Sequence, residues 1–241
     1  KMDGANPKAK NVEEYMQGTP EWRTDLYSQT GTLMTHAESA ALFKQYGVKA
    51  TPELKSAKVP MPYGDFSQEK YAQKLIDELK QAGFSPKETF VQSFNLEDIK
   101  YWVKNEPLFA QQAVFLDNRV YKQEGFKATL DNMKTLSDQG VKIIAPPLYA
   151  LLQLDKENNI VQSEYAKLAK QAKLDIIAWT LERSGPLAQG GGWYYQTVTD
   201  QIKKDGDMMR VLDVLAQDVG VIGVFSDWPS TVTYYANCMN I

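Results

Sequence analysis

Six short, apolar, β-prone runs recur along this chain, and a helix-like segment separates most of them from the next. They are Tyr46 to Ala50, continuing into Thr51-Pro52-Glu53-Leu54-Lys55, then Phe90 to Phe94, Ala113 to Asp117, Val141 to Ala145, Asp175 to Leu181 and Val219 to Ser226. Strands that show little alternation of apolar with polar residues are buried on both faces, which is the signature of a parallel sheet covered by helices. The intervening segments carry helical spacing and helix punctuation. Tyr71, Leu75, Ile76 and Leu79 repeat on one face of a helix expected from about Ser67 to Ala82, with Gly83 as its stop. Further helices are expected over Ala37 to Tyr46, from an Asn95 cap to about Asn105, and over Leu130–Gln139, Ser163–Lys173 and Met208–Asp218. No GxGxxG or GxxxxGK[ST] loop follows the first strand, so a nucleotide-binding doubly wound sheet fits less well than an α/β barrel.

Barrels of this kind place their working residues at the C-terminal ends of the strands. Side chains repeat every second residue along a strand, so Glu53 and Lys55 share a face. A carboxylate and an ammonium side by side could together hold a metal ion and a phosphate, or form no more than a surface ion pair. Gln92, Ser93, Asp117, Trp179, Glu182, Arg183 and Asp227 also fall at or just beyond strand ends. Each has a plainer reading. Ser93 and Asn95 suit a strand end and a helix cap, Asp117 and Asp227 suit turns, and Trp179 suits either the core or an apolar wall for a ligand.

Other classes are constrained by composition. A net charge of −3 provides no basic footprint for nucleic acid. No apolar run approaches the roughly 20 residues needed to span a bilayer. The single cysteine, Cys238, rules out an internal disulfide framework, and the single histidine, His36, rules out a two-histidine mechanism built from this chain alone. His36 sits beside Thr35 and Glu38 where a helix begins and reads as structural. The opening stretch, from Lys1 to about Thr30, reads as an irregular lead-in, and it leads to the expectation that the chain starts within a longer protein.

In order along the chain, Thr-Pro-Glu-Leu-Lys (51–55), Gln-Ser-Phe-Asn (92–95), Ala-Trp-Thr (178–180) and Gly-Val-Phe-Ser-Asp-Trp-Pro (223–229) resemble the glycerophosphodiester phosphodiesterase family. The segment Gly190-Gly191-Gly192-Trp193-Tyr194-Tyr195, with residues 11–26, is similar to a larger, secreted bacterial branch. The resemblance implies a (β/α)8 TIM barrel that hydrolyses glycerophosphodiesters to glycerol 3-phosphate and an alcohol. It also implies a divalent cation, Ca²⁺ or Mg²⁺, and a histidine pair acting as general acid and base. By the same resemblance Glu53 is a metal ligand, Lys55 contacts phosphate, and Gln92 and Trp179 line the substrate pocket. Ser93, Asp117 and Arg183 are further candidates.

The family's opening His-Arg-Gly and Glu-x-Asp strands have no counterpart here. About six of the eight βα units are therefore expected over residues 31–241, with both histidines and two metal carboxylates in an absent N-terminal part. That part is also the expected partner of the open sheet edges, without which the fragment should not be an autonomous domain. The gap could instead be filled by residues around Trp22 to Tyr27. A non-catalytic binding or assembly protein derived from a barrel is the alternative. The branch resemblance implies a periplasmic or extracellular location, where Cys238 could pair with a cysteine of the absent part.

Overall fold

In a computed structural model, residues 32–182 and 185–241 are described, together with Lys8, Lys10, Asn11 and Glu14. Arg183 and the segment from Trp22 to Tyr27 lie outside the described residues. Five short strands form one parallel sheet in chain order: β1 (Gln92–Ser93), β2 (Val114–Leu116), β3 (Ile143–Ala145), β6 (Asp175–Ala178) and β7 (Gly223–Val224). Between β3 and β6 an antiparallel hairpin, β4 (Leu152–Leu154) with β5 (Ile160–Gln162), stands apart from this sheet.

The stretch ending in Lys55 is not a full strand. Tyr46 caps the preceding helix and Gly47 turns at φ +65°, so pairing starts only at Ala50. Two isolated parallel bridges, Ala50 to Thr89 and Glu53 to Gln92, then add this segment beside β1. The backbone bonds Leu54 N–H to Gln92 O (2.8 Å) and Gln92 N–H to Pro52 O (3.0 Å) fix its register.

Helices fill the outside of the sheet. They are α1 (His36–Gln45), α2 (Gln68–Gln81), α3 (Leu96–Asn105), α4 (Pro107–Ala110), α5 (Arg119–Lys122), α6 (Leu130–Asp138), α7 (Glu164–Gln171), α8 (Asp207–Asp213) and α9 (Pro229–Met239). Side-chain caps set several starts: Thr35 with Glu38 for α1, Ser67 for α2, Thr129 with Asn132 for α6 and Ser163 for α7. The helix expected over Met208–Asp218 is α-helical only to Asp213 and continues as a π-helical turn over Val214–Val219. The hairpin and α9 are additions to the sequence reading.

Strand parity divides the core in two. Phe115, Ile144, Ile176 and Ala178 point outward into the large core under the helices, where Trp102 is fully buried and donates from Nε1 to Ala72 O at 3.0 Å. Val114, Leu116, Ile143, Ala145 and Ile177 point the other way and form a second cluster with Phe90, Phe94, Trp179 and Phe225. The sheet curls around this inner cluster so far that its two edges come to face one another. Thr51 and Phe90 from one edge, and Gly223 to Ser226 from the other, line a common cleft of about 400 Å³.

Candidate functional site

At the C-terminal ends of the strands lies a pocket of about 270 Å³, lined by Glu53, Lys55, Gln92, Trp179, Thr180, Tyr194, Asp227 and the apolar side chains of Phe94, Leu116 and Phe225. Leu54 turns into the core while Glu53 and Lys55 turn to the pocket, as strand alternation requires. Lys55 Nζ donates to Glu53 Oε2 at 2.7 Å, and the pair is asymmetric. The Glu53 side chain is 19% exposed and that of Lys55 is 74% exposed. The carboxylate is set in the wall and the ammonium stands largely in solvent.

Gln92 is buried, and its Nε2 donates to Thr51 O at 3.0 Å. Its Oε1 is buried without a hydrogen-bond partner. An orphaned amide oxygen costs about 1–3 kcal/mol, which a ligand bearing a donor or a cation would relieve. Trp179 is fastened by its indole Nε1–H to Ala145 O at 2.6 Å, so it presents ring faces rather than a donor. Opposite stands a loop held by Glu182, which accepts from Ser226 Oγ (2.6 Å) and from the Asp227 N–H (2.9 Å). Burial raises the pKa of the Glu182 carboxyl against the pull of those two donors.

Not every candidate reaches the pocket. Asp117 is fully buried and is not among the lining residues. Its carboxylate takes Nε (2.7 Å) and Nη2 (2.6 Å) of Arg119 and the hydroxyl of Tyr165 (2.6 Å). Ser93 is also buried, donating to Asp98 Oδ2 at 2.7 Å and accepting from the Asn95 N–H, a network at the start of α3. Asn95 caps that helix. His36 lies with Nδ1 2.7 Å from Glu78 Oε2, between α1 and α2. Cys238 is an exposed free thiol on α9.

The sequence reading placed Trp179 in the site but missed the other apolar side chains of its lining. Phe94 and Leu116 could have been found by parity with Gln92 and Val114. Tyr194 is aimed by the turn Gly190-Gly191-Gly192, where all three glycines have positive φ. A Cβ on Gly191 would meet the Tyr195 ring at 2.5 Å, so the turn and the ring are fitted to one another.

A hard divalent cation takes six or more oxygen ligands, several of them carboxylate. Two carboxylates, Glu53 and Asp227, and the orphaned Gln92 oxygen line this pocket. Among the described residues no group of three or more His, Cys, Asp or Glu side chains is arranged to hold a metal ion. The residues described do not by themselves make a complete cation site.

A curled parallel β/α sheet with its polar residues gathered at the strand C-termini defines a TIM-like α/β protein. Two solved structures share this fold. One, from Silicibacter pomeroyi, is described as a glycerophosphoryl diester phosphodiesterase; it aligns with 85% of this chain at a TM-score of 0.57 and 15% identity. The other, a glycerophosphodiester phosphodiesterase from Parabacteroides distasonis, aligns with 97% of this chain at a TM-score of 0.53 and 14% identity. This chain spans 57% of the Silicibacter chain and 78% of the Parabacteroides chain. No family model matches the sequence. An extracellular protein of Arthroderma benhamiae is 50% identical over 245 residues, with both chains covered in full, and this chain belongs to the same family as that protein. No helix among the described residues is long and apolar enough to cross a membrane.

Proposed function

We propose that this chain forms the phosphodiester-binding part of an exported glycerophosphodiester phosphodiesterase. The observation that carries the reading is the Glu53–Lys55 pair beside the orphaned Gln92 oxygen, set at the strand C-termini against the face of Trp179. A phosphodiester is an anion, and the exposed ammonium of Lys55 is the pocket's natural counter-charge for it. Gln92 would orient the bound ester through a donor on the ligand, and Trp179 would support the alcohol. The likeness of fold to two phosphodiesterases supports the reading, as does the name of the Arthroderma relative for export.

Hydrolysis also needs a base to activate the nucleophile and an acid to protonate the leaving alkoxide. The sole histidine is bound to Glu78 on the helical side of the fold, away from the pocket lining. In this proposal the acid–base pair and the oxygen ligands that would complete a Ca²⁺ or Mg²⁺ site come from residues outside the described ones.

The incomplete cation set favours a second reading, in which the barrel binds a phosphate ester without cleaving it. Calorimetric titration of sn-glycerol 3-phosphate into the protein expressed from its complete reading frame tests what both share. Saturable binding is expected, weakened about tenfold or more by Lys55→Met, since a charge-assisted contact is worth about 1.5–3 kcal/mol. Equal affinity in the two proteins would return Lys55 to the surface-pair role.

A further inference from the structure

The ladder between β6 and β7 runs out at Phe225. Its N–H donates to Ala178 O at 2.8 Å, and its carbonyl takes the Thr180 hydroxyl at 2.8 Å and the Leu181 N–H at 3.2 Å. The next tie between the two chains is made by a side chain. Glu182 Oε1 accepts from the Ser226 hydroxyl at 2.6 Å, and Oε2 accepts from the Asp227 N–H at 2.9 Å. The first of these lies in the range of charge-assisted O–H···O⁻ bonds. Ser226 Oγ in turn accepts from the Trp228 N–H at 3.1 Å, which closes the corner on itself.

The two ends of this tie are unequal. Thr180 and Leu181 are buried, and buried Tyr195 donates to Leu181 O at 2.6 Å, so the Glu182 end is anchored in the core. At the other end Ser226 is half-buried, while Asp227 and Trp228 are exposed. What the tie holds in place is therefore the Ser226–Asp227 corner. Both of those residues line the pocket, and Glu182 is not among the lining residues. A group set behind the wall acts on a bound ligand through the wall.

We infer that Glu182 is a positioning residue for the pocket, holding Ser226 and Asp227 in the lining before a ligand arrives. Without it, binding would have to order that corner, and ordering backbone costs affinity. The inference rests on the phosphodiester reading for what the pocket binds, but the tie itself is independent of it. The charge of Glu182 gives the opposite expectation. A carboxylate near the pocket disfavours an anion there, so if charge were its role, removing it would leave phosphate binding equal or tighter.

Two substitutions separate these roles. In Glu182→Gln the amide oxygen can accept from the Asp227 N–H while Nε2 donates to Ser226 Oγ, which has two lone pairs, so both ties survive without the charge. Glu182→Leu keeps the size and loses both acceptors. Calorimetric titration with sn-glycerol 3-phosphate and residue-resolved amide hydrogen exchange would be run on both variants and on the unmodified protein, each from the complete reading frame. Glu182→Gln is expected to bind as the unmodified protein does. Glu182→Leu is expected to bind about tenfold or more weakly at unchanged stoichiometry, since stoichiometry follows the folded fraction and affinity follows the site. Its Asp227 amide should exchange about tenfold or more faster, with the Phe225 amide unchanged. Unweakened affinity in Glu182→Leu, an equal loss in Glu182→Gln, or an Asp227 amide indifferent to the leucine would each overturn the inference and leave the phosphodiester reading standing. No binding to the unmodified protein, with the Asp227 amide responding as expected, would uphold the tie and overturn the phosphodiester reading.

Discussion

Asp117 illustrates how a side chain at a strand end can be committed elsewhere. Its carboxylate holds Arg119 by two bonds and Tyr165 by a third, all inside the protein. Burial pushes the Tyr165 hydroxyl well above its ordinary pKa, and the neighbouring Asp117 charge adds to the rise, so the phenol remains a donor. Breaking a buried pair by removing one member costs about 3–5 kcal/mol. Arg119→Met is expected to lower unfolding stability by about 3 kcal/mol in urea titration, because Asp117 keeps Tyr165 and the Arg119 backbone N–H as donors. A change under about 1 kcal/mol would show that the ion pair contributes little net stability.

Glu182 carries a pH signature at the same scale. Its folded-state pKa is raised, with burial as the leading cause. Below the ordinary carboxyl value both folded and unfolded forms hold the proton, and the group contributes no difference. As the pH climbs from that value through the raised one, the unfolded chain gives up its proton first, and folding loses stability. Glu182→Gln should therefore flatten the fall of Tm across the weakly acidic range. Parallel Tm-against-pH curves for the two proteins would contradict the assignment. Neither residue's environment could be seen from its neighbours in sequence, since Tyr165 and Ser226 are brought in from 48 and 44 positions away.

Among the elements, those with local punctuation were legible. The helices expected over 37–46, 67–82 and 130–139 appear over 36–45, 68–81 and 130–138, because caps and glycine stops are chemical signals a few residues long. The first expected strand shrank to two bridges, because Gly47 spends its residues on a turn and an edge segment has one neighbour only. The hairpin was overlooked although Leu152–Leu154 and Ile160–Gln162 flank a polar turn whose Asp155 carboxylate accepts from the N–H groups of Glu157 and Asn159. Likewise α9 was announced by Pro229 at its first turn.

The start of α7 joins this hairpin to the sheet. Ser163 Oγ accepts from the Ala166 N–H and donates to Ala150 O at 2.5 Å, so one hydroxyl satisfies a helix end and a loop. Ser163→Ala is expected to cost about 2 kcal/mol, the upper end for a lost cap, because a carbonyl is orphaned as well. A shift below about 0.5 kcal/mol in denaturant midpoint analysis would mean that water replaces it.

Among the described residues, the molecule is a curled parallel sheet whose inner cluster adjoins a cleft between the two sheet edges. Thr51 and Phe90 face Gly223 to Ser226 across the cleft, and the polar pocket meets that cleft at Phe225 and Ser226. Part of the pocket was visible in the sequence as Glu53, Lys55, Gln92 and the apolar wall of Trp179, since strand parity and strand ends are readable from spacing. The rest of its apolar lining was not, because Phe94, Leu116, Tyr194 and Phe225 meet only through the curl of the sheet. As proposed above, the pocket serves the cleavage of a glycerophosphodiester. The direct measurement is phosphorus NMR of glycerophosphocholine incubated with the protein expressed from its complete reading frame, with calcium or magnesium present. The account predicts conversion of the diester signal to that of glycerol 3-phosphate, abolished by Glu53→Gln in a protein that still unfolds cooperatively. A diester signal unchanged by the well-folded protein, or conversion that persists in Glu53→Gln, would contradict it.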